Sequence, residues 1–207
     1  NLSWMGYCLT GETDQQKFLM VIGYTAQNGK STMAKMFANS LPIYSKKLDK
    51  KTFNVNYANS HKQFAELKKL IRFAYIEELD RNKVDIDRLK DFIDGDKIGG
   101  NEVLYGTTED IIIHCKLLCT GNKDMNFDTD EGMKRRGIVA NLTNKFIDKY
   151  DYDKLNDKRG NYIKDTKLMN NFETNNEYKM AFIHLLLPYA KKYYAGEFSV
   201  PKSLTEK

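Results

Sequence analysis

A glycine, a lysine and a serine stand together at residues 29–31, within the stretch "VIGYTAQNGKST" at residues 21–32. Phosphate-binding loops follow the pattern G-x-x-x-x-G-K-[ST], in which backbone N–H groups surround the phosphates and the lysine reaches the outer ones. Gly29, Lys30 and Ser31 fit the second half of that pattern, but Tyr24 occupies the first glycine position and Gly23 lies one residue early. Because the first glycine mainly sets the entry to the turn, we expect the loop to bind a nucleoside triphosphate despite this shift.

The nucleotide is expected to be ATP rather than GTP. The segment "GNKDM" at residues 121–125 resembles the guanine-reading N-K-x-D motif, but Met125 stands where the aspartate is needed. Without that carboxylate, base-specific hydrogen bonds to guanine are lost. The residues predicted to contact ATP are Gly23, Thr25, Ala26, Gln27, Asn28, Gly29, Lys30, Ser31 and Thr32.

Two successive glutamates, Glu77 and Glu78, follow the apolar residues of "FAYIEEL". A phosphate loop needs an acid at the end of a neighbouring strand to hold Mg²⁺, and a hydrolase needs a carboxylate to activate water. Successive strand residues point to opposite faces, so the two acids cannot share one role. We assign Glu77, with Ser31, to Mg²⁺ and Glu78 to the attacking water. Asn122, at the polar tip of "LLCTGN", is expected to orient that water.

Arg135 and Arg136 are adjacent in "KRRG", in a chain with only six arginines among its 33 basic residues. One interpretation of the pair is a solvated surface cluster, and the other is a specific role. Cys115 and Cys119, four residues apart, would share one face of a strand. A zinc site would need further ligands and a turn between its pairs, so buried free thiols are the favoured interpretation.

Composition indicates an ordinary globular protein: the 207 residues fit one domain, with 41% apolar and 29% charged residues. No apolar run approaches the roughly 18–20 residues that cross a bilayer, so we expect a cytoplasmic protein with no membrane partner. The net charge of +5 permits an anionic partner without demonstrating one. Three cysteines, an odd number, fit a reducing compartment.

Apolar runs alternate with amphipathic segments along residues 1–146, which is typical of strands alternating with helices. This alternation predicts a mostly parallel sheet covered by helices on both faces. A hairpin that turns at Gly99-Gly100 is predicted over residues 97–106. The predicted strands are residues 17–23, 51–58, 72–79, 110–122 and 136–142, and the predicted helices are residues 1–9, 30–41, 59–71, 84–96 and 175–198.

The chain becomes polar and lysine-rich over residues 148–174, which predicts an exposed and mobile excursion. The amphipathic segment that follows contains Pro188 and is expected to form a helix whose apolar side packs on the core. We therefore predict an ATPase core over residues 1–146, which begins with a short helical lead-in. Residues 147–207 would form a tail that comprises the excursion and the final helix.

Four stretches, taken in order, resemble the superfamily 3 helicase domain of poxvirus-type primase-helicases, a family of large DNA viruses with related forms in phages and plasmids. They are "MGYCLTGETDQQKFLMVIGYTAQNGKST" (residues 5–32), "RFAYIEELDRNKVDIDRLKDFIDGDKI" (72–98), "KLLCTGNKDMNFDTDEGMKRRG" (116–137) and "VPKSL" (200–204). The likeness is good over residues 2–146 and weak over the tail. Its specificity lies in the ordered set rather than in any one motif.

The resemblance implies a modified AAA+ core: an α/β P-loop NTPase with an AAA+-like parallel sheet, a β-hairpin insertion and a C-terminal helical tail. It implies a ring, usually a hexamer, that moves along single-stranded DNA using ATP and Mg²⁺. The loop at Lys30 and Ser31 matches the family's Walker A motif, "IEEL" its Walker B motif, and Asn122 its sensor. Arg135 and Arg136 match the region where an arginine finger enters the neighbouring subunit's site.

The resemblance also matches "LKDFIDGD" to an intervening motif through Lys90, Gly95 and Asp96. In the hairpin, where the family often carries a DNA-contacting cation, Lys97 is the nearest cation and Tyr105 the nearest aromatic residue. We predict both as DNA contacts, Tyr105 by base stacking. A primase domain or other replication proteins would lie outside this chain. The alternatives are an AAA+ or packaging-type ATPase, and a monomeric nucleotide-binding fragment.

Overall fold

Five parallel strands form the central sheet of the computed structural model, which describes residues 2–23, 25–68, 70–80, 84–98, 111–122 and 131–200. The strands are β1 Phe18–Ile22, β2 Ser45–Lys47, β3 Phe73–Ile76, β4 Lys97–Ile98, β5 Ile111–Ile112, β6 Lys116–Gly121, β7 Gly137–Asn141, β8 Lys145–Ile147 and β9 Asn161–Ile163. The helices are α1 Leu2–Tyr7, α2 Lys30–Ser40, α3 Ser60–Ala65, α4 Ile86–Asp94, α5 Glu131–Arg136, α6 Lys149–Asp153, α7 Leu168–Thr174 and α8 Asn176–Tyr194. The predicted α/β class is confirmed, and this arrangement fits a P-loop NTPase-like fold.

The sheet runs in the order β2-β3-β6-β1-β7. β1 therefore lies between β6 and β7, and its last residue, Ile22, pairs with Gly121 on one side and with Asn141 on the other. In open parallel sheets, ligands bind in the crevice outside the carboxyl ends of the strands. The loop that follows β1 is thereby placed between the ends of β6 and β7.

Both faces of the sheet are buried, which explains why its inner strands are continuous apolar runs rather than alternating patterns. Every residue of β1 and of β3 is buried. One face packs against α3 and α4 in a cluster that includes Phe64 and Phe92. The other face packs against α1, α2 and α8 through residues such as Phe37 and Leu186.

The predicted strand at residues 51–58 is wrong. These residues form turns, with an isolated bridge between Asn54 and Val84, and the edge strand of the sheet is β2. Phe53 is fully buried and contacts the rings of Phe64 and Phe92. The apolar residue that made the segment resemble a strand therefore anchors a turn to the core.

The hairpin begins at residue 97 as predicted, but its second strand is β5 at residues 111–112, beyond the predicted end at residue 106. β4 pairs antiparallel with β5, so that Lys97 lies opposite Ile112 and Ile98 opposite Ile111. Residues 99–110, which include most of the predicted hairpin, lie outside the described residues. The single strand predicted over residues 110–122 is two elements, β5 in the hairpin and β6 in the central sheet.

Several helix ends match their sequence signals. α2 ends at Ser40, just before Pro42. α4 begins where the Asp85 carboxylate accepts a hydrogen bond from the Arg88 backbone N–H (3.1 Å), and it closes at Gly95, whose φ is +75°. Such a left-handed residue after a helix is a common glycine position.

Residues 148–174 are largely exposed and contain α6, β9 and α7. β9 pairs with β8 in a parallel two-stranded ribbon. α8, which continues through Pro188, packs on α1 and α2. A Cβ on Gly6 would lie 2.4 Å from the Tyr189 Cβ, so only a glycine allows α1 and α8 to approach this closely. The predicted boundary between residues 146 and 147 stays a prediction.

The cysteines Cys8, Cys115 and Cys119 are buried free thiols, as predicted for the last two. Burial raises the pKa of the Cys115 thiol to about 12, which keeps it protonated and unreactive at neutral pH. Within the described ranges, no helix is both long enough and apolar enough to span a membrane.

Candidate nucleotide-binding site

The loop between β1 and α2 joins a buried strand to a helix N-terminus, which is the setting in which phosphate loops work. Gly29, the N-cap of α2, has a φ of +84°, a conformation that glycine adopts without strain. Gln27 also lies in the left-handed region, with a φ of +64°. Non-glycine residues held in this region cluster at ligand-binding sites. Tyr24 lies outside the described residues.

Gly23 makes room for the side chain of Asn28. A Cβ at residue 23 would lie 1.9 Å from the Asn28 Nδ2, a distance that no pair of atoms tolerates. Asn28 is buried, and its Nδ2 donates to the Thr25 carbonyl oxygen at 2.6 Å. The early glycine is therefore required by the inner packing of this loop, whatever its role in the turn.

Lys30 is buried inside the loop. Its Nζ donates to the Asn28 Oδ1 at 2.9 Å and to the Gly23 carbonyl oxygen at 3.2 Å. Burial lowers the pKa of Lys30, and the nearby Glu78 carboxylate partly opposes that shift. The ammonium is thus held by neutral oxygens, where an anionic ligand would stabilise its charge.

Glu78 and Asn122 line the same pocket as the loop. This pocket has a volume of about 540 Å³ and is bounded by residues 25–32 together with these two side chains. The Asn122 Nδ2 donates to the Glu78 Oε1 at 3.4 Å, and the Glu78 backbone N–H donates to the Thr120 Oγ1 at 3.1 Å. Glu78 has a φ of +55°, which places it in the left-handed region just after β3. The structure therefore places Lys30, Ser31, Glu78 and Asn122 around one pocket.

Glu77 is placed differently from Glu78: both follow β3, which ends at Ile76, and the chain turns at Glu78. It lies outside the lining of that pocket, and its carboxylate forms an ion pair with Lys47 on the edge strand β2. Its other oxygen, Oε1, is buried and has no hydrogen-bond partner among the described residues. A buried carboxylate oxygen without a partner fits a role in holding Mg²⁺ or its water shell, since Mg²⁺ takes oxygen ligands.

The two adjacent arginines have different environments. Arg136 is held by the Asp94 carboxylate at the end of α4: its Nε donates to Oδ1 at 2.7 Å and its Nη2 to Oδ2. The side chains of this pair are only 11% and 12% exposed. Arg135 is exposed, and its Nη2 donates to the Gln16 Oε1 at 2.6 Å. The pair is therefore one internal ion-paired residue and one surface residue.

Of the two predicted DNA contacts, Lys97 does not line this pocket. Lys97 is exposed on β4 at the base of the hairpin, and Tyr105 lies outside the described residues. Gly95 and Asp96 precede β4, and a Cβ on Gly95 would lie 2.2 Å from the Thr13 Oγ1. Lys90 forms an ion pair with Asp87 on α4 (3.6 Å).

Sequence reasoning missed three residues that contact the site. Thr120 accepts the hydrogen bond of the Glu78 N–H, and its spacing of two from Asn122 on a strand is a signal that could have found it. The Phe146 N–H donates to the Gln27 carbonyl oxygen at 2.7 Å, and Lys47 pairs with Glu77. Neither of these two carries a local signal, because the contacts join segments that are distant along the chain.

The chain matches no protein-family model and no curated protein sequence. Two solved apo structures of the C-terminal region of NrS-1 match the fold over 100% of this chain. One has a TM-score of 0.59 at 14% identity and the other a TM-score of 0.54 at 11% identity. The matched part covers 46% and 42% of those chains, so this chain spans less than half their length. At these identities the similarity establishes the fold alone.

Proposed function

We propose that this chain is the ATP-hydrolysing motor domain of a DNA helicase of the viral or phage primase-helicase type. The observation that carries the proposal is the grouping of Lys30, Ser31, Glu78 and Asn122 around one pocket at a helix N-terminus. A lysine, a hydroxyl and helix N–H groups suit phosphates and their Mg²⁺, and a carboxylate with an amide suits an attacking water. The fold similarity to the C-terminal region of NrS-1 supports the parallel-sheet architecture that such a motor requires.

Lys30 and the loop N–H groups hold the β- and γ-phosphates of ATP. To do so, the Lys30 Nζ exchanges its contacts with the Gly23 carbonyl and Asn28 Oδ1 for phosphate oxygens. Burial lowers the pKa of Lys30, and an anionic ligand beside the ammonium would raise that pKa again, because it stabilises the protonated form. Ligand binding and lysine charge therefore reinforce each other.

Ser31 and Glu77 are the residues that would hold Mg²⁺, Ser31 through its hydroxyl and Glu77 through water at Oε1. The ion would neutralise charge that develops on the phosphates. Glu78 accepts a proton from the attacking water, and Asn122 fixes the direction of the Glu78 carboxylate through the hydrogen bond between them. Thr120 holds the backbone of Glu78 in its left-handed conformation.

We assign the arginine finger to Arg135. Its side chain is exposed at the end of α5, whereas the Arg136 guanidinium is held within the subunit by Asp94. In a ring of six subunits, as the resemblance implies, Arg135 would enter the ATP site of the neighbouring subunit. Removing such a finger lowers the hydrolysis rate by about 10³–10⁵-fold.

The hairpin that starts at β4 is proposed to contact single-stranded DNA through Lys97 and Tyr105. Phosphate contacts release counterions, so DNA binding should weaken steeply as salt rises. A primase domain or other replication proteins outside this chain would complete the assembly.

The test combines ATP binding, ATP hydrolysis and unwinding of a forked DNA by the full chain. Lys30→Ala is expected to abolish ATP binding, whereas Glu78→Gln should bind ATP and lose about 10²–10⁴-fold in hydrolysis. Lys149→Ala, on the exposed helix α6, is the matched control for loss of a lysine. Normal hydrolysis by Glu78→Gln would contradict the proposal. Hydrolysis without unwinding by an oligomeric chain would instead favour a protein-directed or packaging ATPase, and a monomer with ATP bound would favour a binding fragment.

A mixing experiment tests the finger separately. In a ring, a subunit that lacks Arg135 still offers an intact Glu78, and a subunit that lacks Glu78 still offers an intact Arg135. Mixing Arg135→Ala with Glu78→Gln chains should therefore restore part of the hydrolysis that each variant lacks alone. Absence of any restoration, in rings shown to contain both chains, would mean that Arg135 does not act across an interface.

A further inference from the structure

A second cavity of about 620 Å³ adjoins the phosphate loop. It lies between the start of α2, the segment that follows β7, and residues 164–169. Four loop residues line both this cavity and the phosphate pocket: Gln27, Asn28, Gly29 and Thr32. The two spaces are therefore adjacent parts of one surface, with the phosphate loop between them.

The strand order places the two spaces on opposite sides of β1. Glu78 and Asn122 follow β3 and β6, on one side of β1, and line only the phosphate pocket. The segment after β7, which begins on the other side of β1 at Asn141, lines only the second cavity. A nucleotide whose terminal phosphate faces Glu78 therefore has the second cavity beside it on the β7 side, within the lining that the two spaces share.

The lining of the second cavity suits a flat apolar group with a polar edge. Met33 and Met36 from α2, Leu142, Met169 and the ring of Phe146 provide its apolar surface. Thioether side chains fill irregular space and contact aromatic rings favourably. The polar groups around it include Asn144 and Asp165. Its volume lies within the range of about 300–1,000 Å³ that is typical of small-ligand sites.

Phe146 connects the two spaces. The Phe146 backbone N–H donates to the Gln27 carbonyl oxygen at 2.7 Å. Its ring lies over the loop, with Cε2 3.5 Å from the position of a Cβ on Gly29. Phe146 is 38% exposed, which is unusual for phenylalanine, although its ring also contacts the Tyr162 ring on β9, with centroids 5.8 Å apart.

The ribbon of β8 and β9 holds the outer wall in place. Lys145 N–H donates to the Gly160 carbonyl oxygen, and Lys164 N–H donates to the Ile147 carbonyl oxygen, both at 2.8 Å. These bonds fix residues 164–169, which line the cavity, relative to Phe146, which contacts the loop. Part of the polar segment 148–174 thus forms one wall of the cavity.

We propose that the second cavity binds the nucleoside of the bound triphosphate, with the base stacked on Phe146. This inference rests on the proposed function and adds to it a role for the ribbon and the segment that follows it. The loop binds the phosphates, and the cavity beside the ribbon binds the nucleoside. Together they distinguish a nucleotide from a free polyphosphate. Binding of the base would also link the ribbon to the occupancy of the site.

Calorimetry with ATP and with inorganic tripolyphosphate, both with Mg²⁺, separates the two parts. Phe146→Ala keeps the backbone N–H that contacts Gln27, and it is expected to weaken ATP binding about 10-fold while leaving tripolyphosphate binding unchanged. Met169→Trp, on a different segment, fills the cavity and should have the same selective effect. Tyr150→Ala removes a 69% exposed aromatic side chain that does not line the cavity and should change neither affinity.

The outcomes distinguish this inference from the function on which it rests. If Phe146→Ala and Met169→Trp leave both affinities at their original values, the cavity does not bind the nucleoside, although the loop still binds phosphate. If the unaltered chain binds neither ligand, the proposed function fails and the inference fails with it. If both variants weaken the two ligands equally, the cavity serves only the shape of the loop and the inference is overturned.

Discussion

A methyl group added at Gly23 has no space in the folded loop. Its Cβ would lie 1.9 Å from the Asn28 Nδ2, so Asn28 must leave its buried position in a Gly23→Ala variant. The backbone at Gly23 does not oppose the substitution, since the glycines with positive φ in the described residues are Gly29, Gly95, Gly160 and Gly196. The effect of the substitution should therefore depend on Asn28 alone.

The cost follows from the two hydrogen bonds that Asn28 makes. Its Nδ2 donates to the Thr25 carbonyl oxygen at 2.6 Å, and its Oδ1 accepts from the Lys30 Nζ at 2.9 Å. A net hydrogen bond contributes about 1 kcal/mol, and one that involves a charged group about 1.5–3 kcal/mol. We expect Gly23→Ala to lower the free energy of unfolding by about 2–4 kcal/mol, or Tm by roughly 5–15 °C.

The assay is a double-mutant cycle measured by urea unfolding and by ATP calorimetry. Asn28→Ala alone should cost a similar amount, and Gly23→Ala made in that background should cost about 0.5 kcal/mol or less, because the clash is gone. Gly29→Ala is the matched control. Its penalty comes from a φ of +84°, with the nearest side chain at 3.5 Å, so removal of Asn28 should not reduce it. Equal costs of Gly23→Ala with and without Asn28 would refute the reasoning.

Three further predictions concern other parts of the molecule. Burial lowers the pKa of Lys116 to about 8 from 10.5, so between those pH values the unfolded chain binds a proton that the folded chain does not. Stability relative to Lys116→Met should therefore rise by up to about 3 kcal/mol from pH 8 to pH 10.5 in urea unfolding, and a flat difference would contradict the shift. Arg136→Ala leaves Asp94 buried and unpaired and should cost about 3–5 kcal/mol by thermal unfolding, with a smaller cost when Asp94→Asn is added. Glu77→Gln should raise the Mg²⁺ concentration for half-maximal ATP hydrolysis about 10–100-fold; an unchanged Mg²⁺ titration would exclude Glu77 from the metal site.

The central strands were predictable because burial on both sheet faces selects continuous apolar runs. β1, β3 and β7 lie within their predicted ranges, and so do α2 and α4. The short edge elements were not predictable in the same way. β2 has few buried side chains and no apolar run, whereas the turn around Phe53 has one deeply buried aromatic ring. The apolar residues of a short segment indicate that its side chains are buried. They do not indicate a strand, because side chains in turns are buried as well.

The sequence implies that Glu77 and Glu78 are placed apart, although the reason differs from strand alternation: β3 ends at Ile76, and Glu78 lies in the left-handed region with a φ of +55°. That Glu77 pairs with Lys47 does not follow, because β2 becomes the neighbour of β3 only in the folded sheet. The contacts of the two adjacent arginines likewise could not be predicted from the sequence. Nothing in "KRRG" indicates that Arg136 is held by Asp94 while Arg135 stays at the surface.

By itself, the sequence determined the chemistry available to this protein: a lysine and a hydroxyl at a helix start, carboxylates after one buried strand and an amide after another. Types and spacings of residues suffice for this, because helix starts and strand ends are set by nearby residues. Only the tertiary structure decided which residues contact one another. The Asn28 side chain fills the space beside Gly23, the Phe146 ring lies over Gly29, and the ribbon lies beside the cavity. Such contacts join segments far apart in the chain, and the packing of the whole domain fixes them.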